Sequence, residues 1–527
     1  MIARSRSGAA FGLALASLIA FKLWLVHGEE IVGSATQYDA LWYLRSARAW
    51  YWRTTYDWIA FIRPCAYPLW IAAVRLLHIP LRLAIELLQI GGALILVFAL
   101  RSVGLGRGFC VVSFACLCLH PICFQLNDYT MSDTFYCTLL WFTLGGLLLI
   151  WSRRDWRIAL ATGIAIAILW NTREEGILVI VLVAIWSGFL LFENWRRNGR
   201  LIAITGTTAA LLILAVYATN DFVFRSFARS EMTASVFQSL YHSLLRIKPA
   251  EPKPYAPITM ETLHRAGAVS PTFAKLRAPL DGPIGEAWRI ETNRQVGTPN
   301  EIGVGWIVWA TRQAASAEGI FASPKSARRF FTKAAREINA ACDDGQLPTR
   351  FVLDGFLDPF TQSGGLRRLP VSAVRIAARS FARWSIGPIR DDPGLTTAEA
   401  LLYDEMTLRR SNGVGPRTGV AFFTESLIGR YHLFFIFLLH LLAAGSLVSL
   451  WLSRPRLSRH AGLVCAIALV ATAVLSRAAL LAWLDATAFD ATQDRFLAPI
   501  LPLWSVLLVL VIALRGKALP RPNEKGI

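Results

Sequence analysis

A chain of 527 residues that is 55% hydrophobic and only 17% charged, with a mean hydropathy of +0.46, is too apolar for an ordinary soluble globular protein. The net charge of +19 does not by itself point to nucleic acid. On a membrane protein the excess Lys and Arg lies on cytoplasmic loops and sets orientation, so no nucleic-acid partner is expected.

Apolar runs of about 20 residues, the length that crosses a bilayer as a helix, recur along the chain. The expected fold class is an all-α polytopic membrane protein with about ten transmembrane helices. They are placed at 8–26, 82–100, 108–124, 133–151, 156–171, 175–192, 200–218, 431–452, 461–484 and 495–514. The first has the basic start of a signal peptide, but its apolar core is too long and no small-residue cleavage site follows, so it is expected to be retained. Three domains are expected: an N-terminal membrane module, 1–218; an extracytoplasmic domain, 219–430, mostly helical; and C-terminal membrane helices with a cytoplasmic tail, 431–527.

Between the first two spans, 27–81 reads as an outer loop. It is too polar at its start to span, and Pro64 and Pro68 open a short amphipathic helix that ends near Pro80 and suits the membrane interface. Within 219–430, "SPKSARRFFTKAAREINAACDDG" reads as a capped helix, with Ser323 as N-cap, Pro324 in the first turn and Gly345 past the end. Arg101, Arg107, Arg153, Arg154, Arg157, Arg196, Arg197, Arg200, Arg454, Arg456 and Arg459 all fall on one side of this topology. The positive-inside rule then puts both termini in the cytoplasm of a bacterial inner membrane. Of the eight cysteines, six lie in or beside apolar runs and read as small hydrophobes; Cys65 and Cys342 pair only if the fold brings them together.

The opposite, outer ends of the spans carry an unusual set of ionisable groups. They are Asp39 in "QYDALWYLRSARAW", Asp128 and Asp133 in "QLNDYTMSDTFY", Arg173, Glu174 and Glu175 in "NTREEG", Arg477 in the ninth span, and Asp494 with Arg495 in "TQDRFLAPILP". Ionisable groups at membrane depth are costly and read as functional by default. Arginine forks bind phosphate oxygens bidentately, and a carboxylate beside an acceptor hydroxyl takes its proton. The same residues also have plain structural readings: Asp39 as the cap of the helix that follows it, Asp133 as a carboxylate at a helix N-terminus, and Arg173 as an ion-pair partner of its neighbouring glutamates.

The order of these segments resembles the GT-C superfamily of polyprenyl-phosphate-dependent glycosyltransferases. The first-loop acid is matched by Asp39, the R-P-x-x-Y-P segment by "RPCAYP" at Arg63 to Pro68, and the loop acid before the fourth helix by "NDYTMSD". "TREEG" at Thr172 to Gly176 is similar to a T-R-x-E-G turn, and "DRFLAPILP" to the start of a final helix. The likeness covers about 1–220 and the last hundred residues; 219–430 matches no member. It implies Asp39, Asp133 and Asp128 as catalytic candidates, and Arg173, Arg495, Arg477 and Arg63 for the donor phosphate. Tyr38, Tyr43, Tyr67, Glu174 and Glu175 would line the substrate site. Many members carry two adjacent acids in the first loop. Here Asp39 stands alone, and one carboxylate holds a divalent ion poorly, so no metal or other cofactor is expected.

The expected activity is transfer of a sugar from a polyprenyl-phosphate donor to an envelope glycan, lipid or protein acceptor at the periplasmic face, with inversion and with Asp39 as general base. The rival readings are a polymerase or ligase of the O-antigen type with a lipid-diphosphate donor, a transporter, and a non-enzymatic envelope assembly protein. If the leading reading holds, Asp39, Asp133, Arg173 and Arg495 line one outward-facing cavity.

Overall fold

The structure is a computed structural model that describes residues 2–35, 39–353, 364–382, 391–409, 419–453 and 457–518. Secondary structure among them is helical, with two isolated β-bridges, Ile247 to Thr349 and Lys253 to Ala256. Eight segments are long and apolar enough to cross a membrane, against the ten expected. The difference lies between residues 156 and 224. Trp156–Trp170 is a 15-residue helix, short for a bilayer. The expected sixth and seventh spans form one continuous helical segment, Glu174–Phe224. That segment turns back on itself at Asn194, whose backbone is non-helical and whose side chain accepts from the Arg197 amide. The Asn198 side chain donates at 2.8 Å to the Leu190 carbonyl, eight residues earlier. Eight residues of straight helix would separate them by about 12 Å, so the chain reverses there.

In lipid there is no hydrophobic gain from bringing helices together, so close packing has to hold the bundle. Small residues sit at its contacts. A Cβ on Gly145 would meet Ile95 and Leu96 backbone atoms at 3.1 Å, drawing Ser132–Arg153 tightly against Leu81–Ser102. One on Gly163 would lie 2.7 Å from the Thr205 carbonyl. Trp141 and Trp186 are fully buried, and the Trp186 indole donates to the Leu147 carbonyl at 2.9 Å. Large apolar side chains elsewhere on these helices, such as Phe192, Phe434, Phe437 and Trp451, are exposed, as a lipid-facing surface requires.

Residues 235–347 build a second core of their own, around Phe237, Leu244, Phe273, Ile307, Phe331 and Ile338. The capped helix expected there is Pro324–Asp343, with Ser323 Oγ accepting from the Ser326 amide at 3.1 Å and Gly345 at positive φ. The described stretches 364–382 and 391–409 do not join that core. Gly365–Ala378 packs along Ala461–Thr487, and Thr397–Thr407 lies on Ala40–Arg48 and Ala66–Leu76 of the first loop. Ala66–Leu76 is the short helix expected after the two prolines. The helix expected from 431 begins earlier, at Gly419, and runs to Ser453. Cys65 and Cys342 are both free and belong to different clusters.

Candidate functional site

The acid of the first loop, Asp39, precedes the Ala40–Arg48 helix in the left-handed region, at φ 59°. Its backbone carbonyl receives the Trp42 and Tyr43 amides, but its side chain makes no cap hydrogen bond. The carboxylate turns instead to Arg63, whose Nη2 donates to Oδ2 at 2.5 Å. The capping role available to Asp39 is therefore unused, and a loop closed by "RPCAYP" brings base and acid together. Arg63 also approaches Glu174 at 3.7 Å and lies over the Trp309 ring, 4.9 Å from its centre. Burial works against its charge, but the Asp39 and Glu174 carboxylates outweigh it and hold the guanidinium above its ordinary value.

A second group adjoins the first. Arg173 stands extended at the start of the short Glu174–Leu178 turn. Gly176 allows that turn to fold onto the end of Trp156–Trp170: a Cβ there would lie 2.7 Å from Trp170 backbone atoms. From this position Arg173 donates to Ser132 Oγ at 2.9 Å, to Asp133 Oδ2 at 2.7 Å and, through Nε, to Glu175 Oε2 at 2.6 Å. Arg477 reaches the same two acids from the other side, 3.3 Å from Glu175 and 4.0 Å from Asp133. Its Nε donates to the Phe496 carbonyl at 3.1 Å, and its guanidinium lies over Tyr136. Asp133 and Glu175 are thus each held between two arginines. Tyr43 joins the two groups: its hydroxyl is 2.9 Å from Ser132 Oγ, and its ring meets Tyr67 edge-on at 5.0 Å. Burial pushes the Tyr43 phenol up to about 12, so it remains a neutral hydrogen-bonding group at any ordinary pH.

Exposure divides the site. Asp39, Arg63 and Glu174 keep 23%, 24% and 29% of their side chains open, whereas Asp133 and Arg477 keep only 4% and 2%. The open trio can meet a substrate; the closed group behind it fixes charge and shape. Tyr67 is fully buried and stacks on Trp70, behind Tyr43 rather than at an opening.

Two expected residues separate from this chain of contacts. Asp128 accepts from Arg82 Nε at 3.0 Å inside a different buried cluster, with Glu29, Glu86 and Lys22. Tyr38 lies outside the described residues. Arg495 lies within electrostatic reach of Asp133 and rests over Phe496. It lines a cavity of about 360 Å³ together with Gln125, Leu126, Arg379, Thr492, Gln493 and Asp494. Of the four residues expected in one cavity, Arg495 alone lines this one, because Asp39, Asp133 and Arg173 close on oppositely charged neighbours.

The sequence did not single out Ser132, Tyr136 or Trp309. Ser132 is adjacent to Asp133 and its type suits a hydrogen bond, so its signal was present. Trp309 comes from the Ile307–Ala317 helix, far along the chain, which docks on the first loop through Arg312. That arginine donates to the Trp58 carbonyl at 2.8 Å and to Ala60 at 3.4 Å, and lies 3.6 Å from Glu231. Among the described residues, no group of three or more His, Cys, Asp or Glu is placed to hold a metal ion.

No family model matches the chain, and no curated protein sequence does. Two solved structures align with it, both of ArnT from Cupriavidus metallidurans. The apo form shares 13% identity at a TM-score of 0.31, covering 97% of this chain and 77% of the other. The form bound to undecaprenyl phosphate shares 14% at 0.29, covering 96% and 76%. Alignments of this quality fix neither fold nor function.

Proposed function

We propose that this chain is an integral-membrane glycosyltransferase that takes a sugar from a polyprenyl-phosphate donor. The observation that carries the reading is the continuous run of paired arginines and carboxylates at one end of the helical bundle, with its open edge at Asp39, Arg63 and Glu174. Such a run has the two chemistries the reaction needs. Asp39 takes the proton of an acceptor hydroxyl as that oxygen bonds to the anomeric carbon. The bond from that carbon to the phosphate oxygen breaks, its electron pair leaves with the phosphate, and the arginines meet the growing charge. A single displacement inverts the sugar carbon. Arg63 holds the Asp39 carboxylate in position between turnovers, and Arg173 and Arg495 hold donor phosphate. The site faces the periplasm of a bacterial inner membrane, and the acceptor is an envelope glycan, lipid or protein.

The test uses membranes containing the full chain, radiolabelled polyprenyl-phosphate sugars, and the Asp39→Asn and Arg495→Ala variants. Loss of a general base lowers transfer by about 10²–10⁴-fold. Undiminished transfer by folded Asp39→Asn protein removes Asp39 as the base. Lost transfer in Arg495→Ala that is restored by raised donor concentration identifies a donor contact.

A further inference from the structure

Two arginine-bearing turns lie at the end of the bundle away from the candidate site. The helix that starts at Ser132, beside Asp133, runs 22 residues to Arg153, a rise of about 33 Å. That is close to the thickness of the hydrocarbon core, so its far end reaches the other leaflet. The turn there holds Arg153, Arg154 and Arg157, and the reversal at Asn194 holds Arg196, Arg197 and Arg200. Arg154 donates to Glu193 across the gap between the turns, and the Trp151 ring meets Phe189 edge-on at 6.1 Å. The two turns are therefore one joined surface.

Both acids of this surface are engaged. Glu193 takes Arg154, and the Asp155 carboxylate accepts the Arg157 amide at 2.8 Å. Arg153, Arg157, Arg196, Arg197 and Arg200 are exposed and make no ion pair among the described residues. Aromatic rings stand among them. Arg157 lies over Trp156, 5.7 Å from its ring centre, and Arg196 over Trp195 at 5.4 Å. Trp156 and Trp195 are 52% and 66% exposed, and Phe192 is 96% exposed. Exposed tryptophans of this kind sit at headgroup depth, where arginine forks meet phosphate oxygens.

We propose that this surface binds an anionic phospholipid with two phosphodiesters, one on each turn, with Trp156, Trp195 and Phe192 against its glycerol and upper acyl groups. Charge complementarity selects the occupant. Each turn carries three arginines and one acid, and each phosphodiester brings a negative charge and two bare oxygens. Basic surfaces between membrane helices attract anionic headgroups in this way. A basic turn that served only to set topology would attract any anionic lipid by charge alone. It would accept lysine for arginine and gain nothing from two phosphates in one molecule. The inference goes beyond the transferase reading and does not depend on it.

The experiment titrates the delipidated full chain in detergent with diphosphatidylglycerol, phosphatidylglycerol or phosphatidylethanolamine, and counts bound lipid by native mass spectrometry. The variants are the pairs Arg157→Gln with Arg196→Gln, Arg157→Lys with Arg196→Lys, and Trp156→Leu with Trp195→Leu. A control pair, Lys325→Gln with Arg329→Gln, removes equal charge from an exposed face of Pro324–Asp343. The expected result is saturable binding of diphosphatidylglycerol, at least tenfold tighter than phosphatidylglycerol at matched phosphate, with phosphatidylethanolamine weakest. The glutamine pair should lose at least tenfold in affinity, the lysine and leucine pairs several-fold, and the control pair nothing. Affinity unchanged within twofold in a monodisperse glutamine pair overturns the proposal. So does phosphatidylglycerol that binds as tightly at matched phosphate, or a control pair that loses as much as the glutamine pair. A lysine pair that binds as the parent does also overturns it, and decides the matter if the glutamine pair does not fold.

Discussion

Asp128, in a short loop, and Asp133, in the first turn of the Ser132–Arg153 helix that follows it, go to two different ion clusters. Asp128 joins Arg82, Glu86 and Lys22, which are buried, and Glu29, which is half-buried. Asn127 donates to Glu86 at 3.0 Å and to Gln89 at 2.8 Å, and Lys22 lies 3.4 Å above the Phe124 ring centre. The Val32 amide is tied to the Asp128 carbonyl at 2.7 Å, so this closed cluster pins the start of the first loop. Asp133 joins Arg173, Glu175 and Arg477, and through Ser132 and Tyr43 that cluster continues to the half-open pair of Asp39 and Arg63. The charges alone are similar. What separates a brace from a reactive site is an open edge: one cluster ends in packed side chains, the other at groups that a substrate can touch.

The sharpest way to break this comparison is Arg82→Ala. It removes the arginine that Glu29, Glu86 and Asp128 share, and removing one partner of a buried pair costs about 3–5 kcal/mol. Folded protein recovered from membranes, followed by size-exclusion profile and thermal unfolding, should fall steeply. If Arg82→Ala folds as well as the parent chain and loses only activity, the closed cluster is part of the site after all. Next in size is the matched pair Asp128→Asn and Asp133→Asn. Asp128→Asn should lower the unfolding midpoint while leaving transfer per folded molecule unchanged; Asp133→Asn, equally buried, should lower the midpoint too and in addition lower transfer per folded molecule at least tenfold. A swapped pattern reverses the assignment of the two clusters.

Smaller again is Trp309→Leu, which removes the aromatic face beneath Arg63. A contact of this kind contributes about 0.5–2 kcal/mol, so a several-fold drop in kcat/KM with an unaltered unfolding midpoint is expected. The smallest effect concerns Glu337 in the outer core. Burial opposes its charge more than any other one influence, but hydrogen bonds from Ser270, the Thr272 hydroxyl and the Thr272 amide together outweigh it and hold its carboxyl below the usual glutamate value. A depressed carboxyl stabilises the fold above its unfolded value, about 4.3, and that gain is lost as pH falls through the lower folded value. Glu337→Gln should cost about 1 kcal/mol at neutral pH and flatten the decline of the unfolding midpoint below pH 4.3. An unchanged acid limb would show that these bonds do not stabilise the ionised form.

Much of the site could be read from the sequence because its residues lie at the ends of apolar runs, in the outer loop between the first two of them, or in the outer half of a late one, and the alternation of spans puts these on one side. Asp39, Arg63, Tyr43, Asp133, Arg173, Glu174, Glu175 and Arg477 meet for that reason. Hydropathy could not separate Asp128 from Asp133, since their choice of partner depends on which way each side chain faces. Nor could it foresee Trp309 or Arg379. Both arrive on helices with no apolar span and no local mark of their destination, delivered by docking contacts such as Arg312 on the Trp58 carbonyl and Arg375 on Asp485. The expectation of one outer unit over 219–430 rested on its even polarity, and polarity does not record that Gly365–Ala378 packs on a membrane helix and Thr397–Thr407 on the first loop.

Arg477 has a further consequence, for how the protein is made. Asp133 and Glu175 belong to early helices, and one of the two arginines they share comes from the much later Ala461–Thr487 helix. At about 5–20 residues per second, these acids leave the ribosome on the order of tens of seconds before Arg477 does. During that interval the early helices enter the bilayer carrying a charge surplus that only Arg173 offsets. This cluster is therefore complete only once the Ala461–Thr487 helix has been made, and a product truncated before it would lack one of the two arginines that Asp133 and Glu175 share.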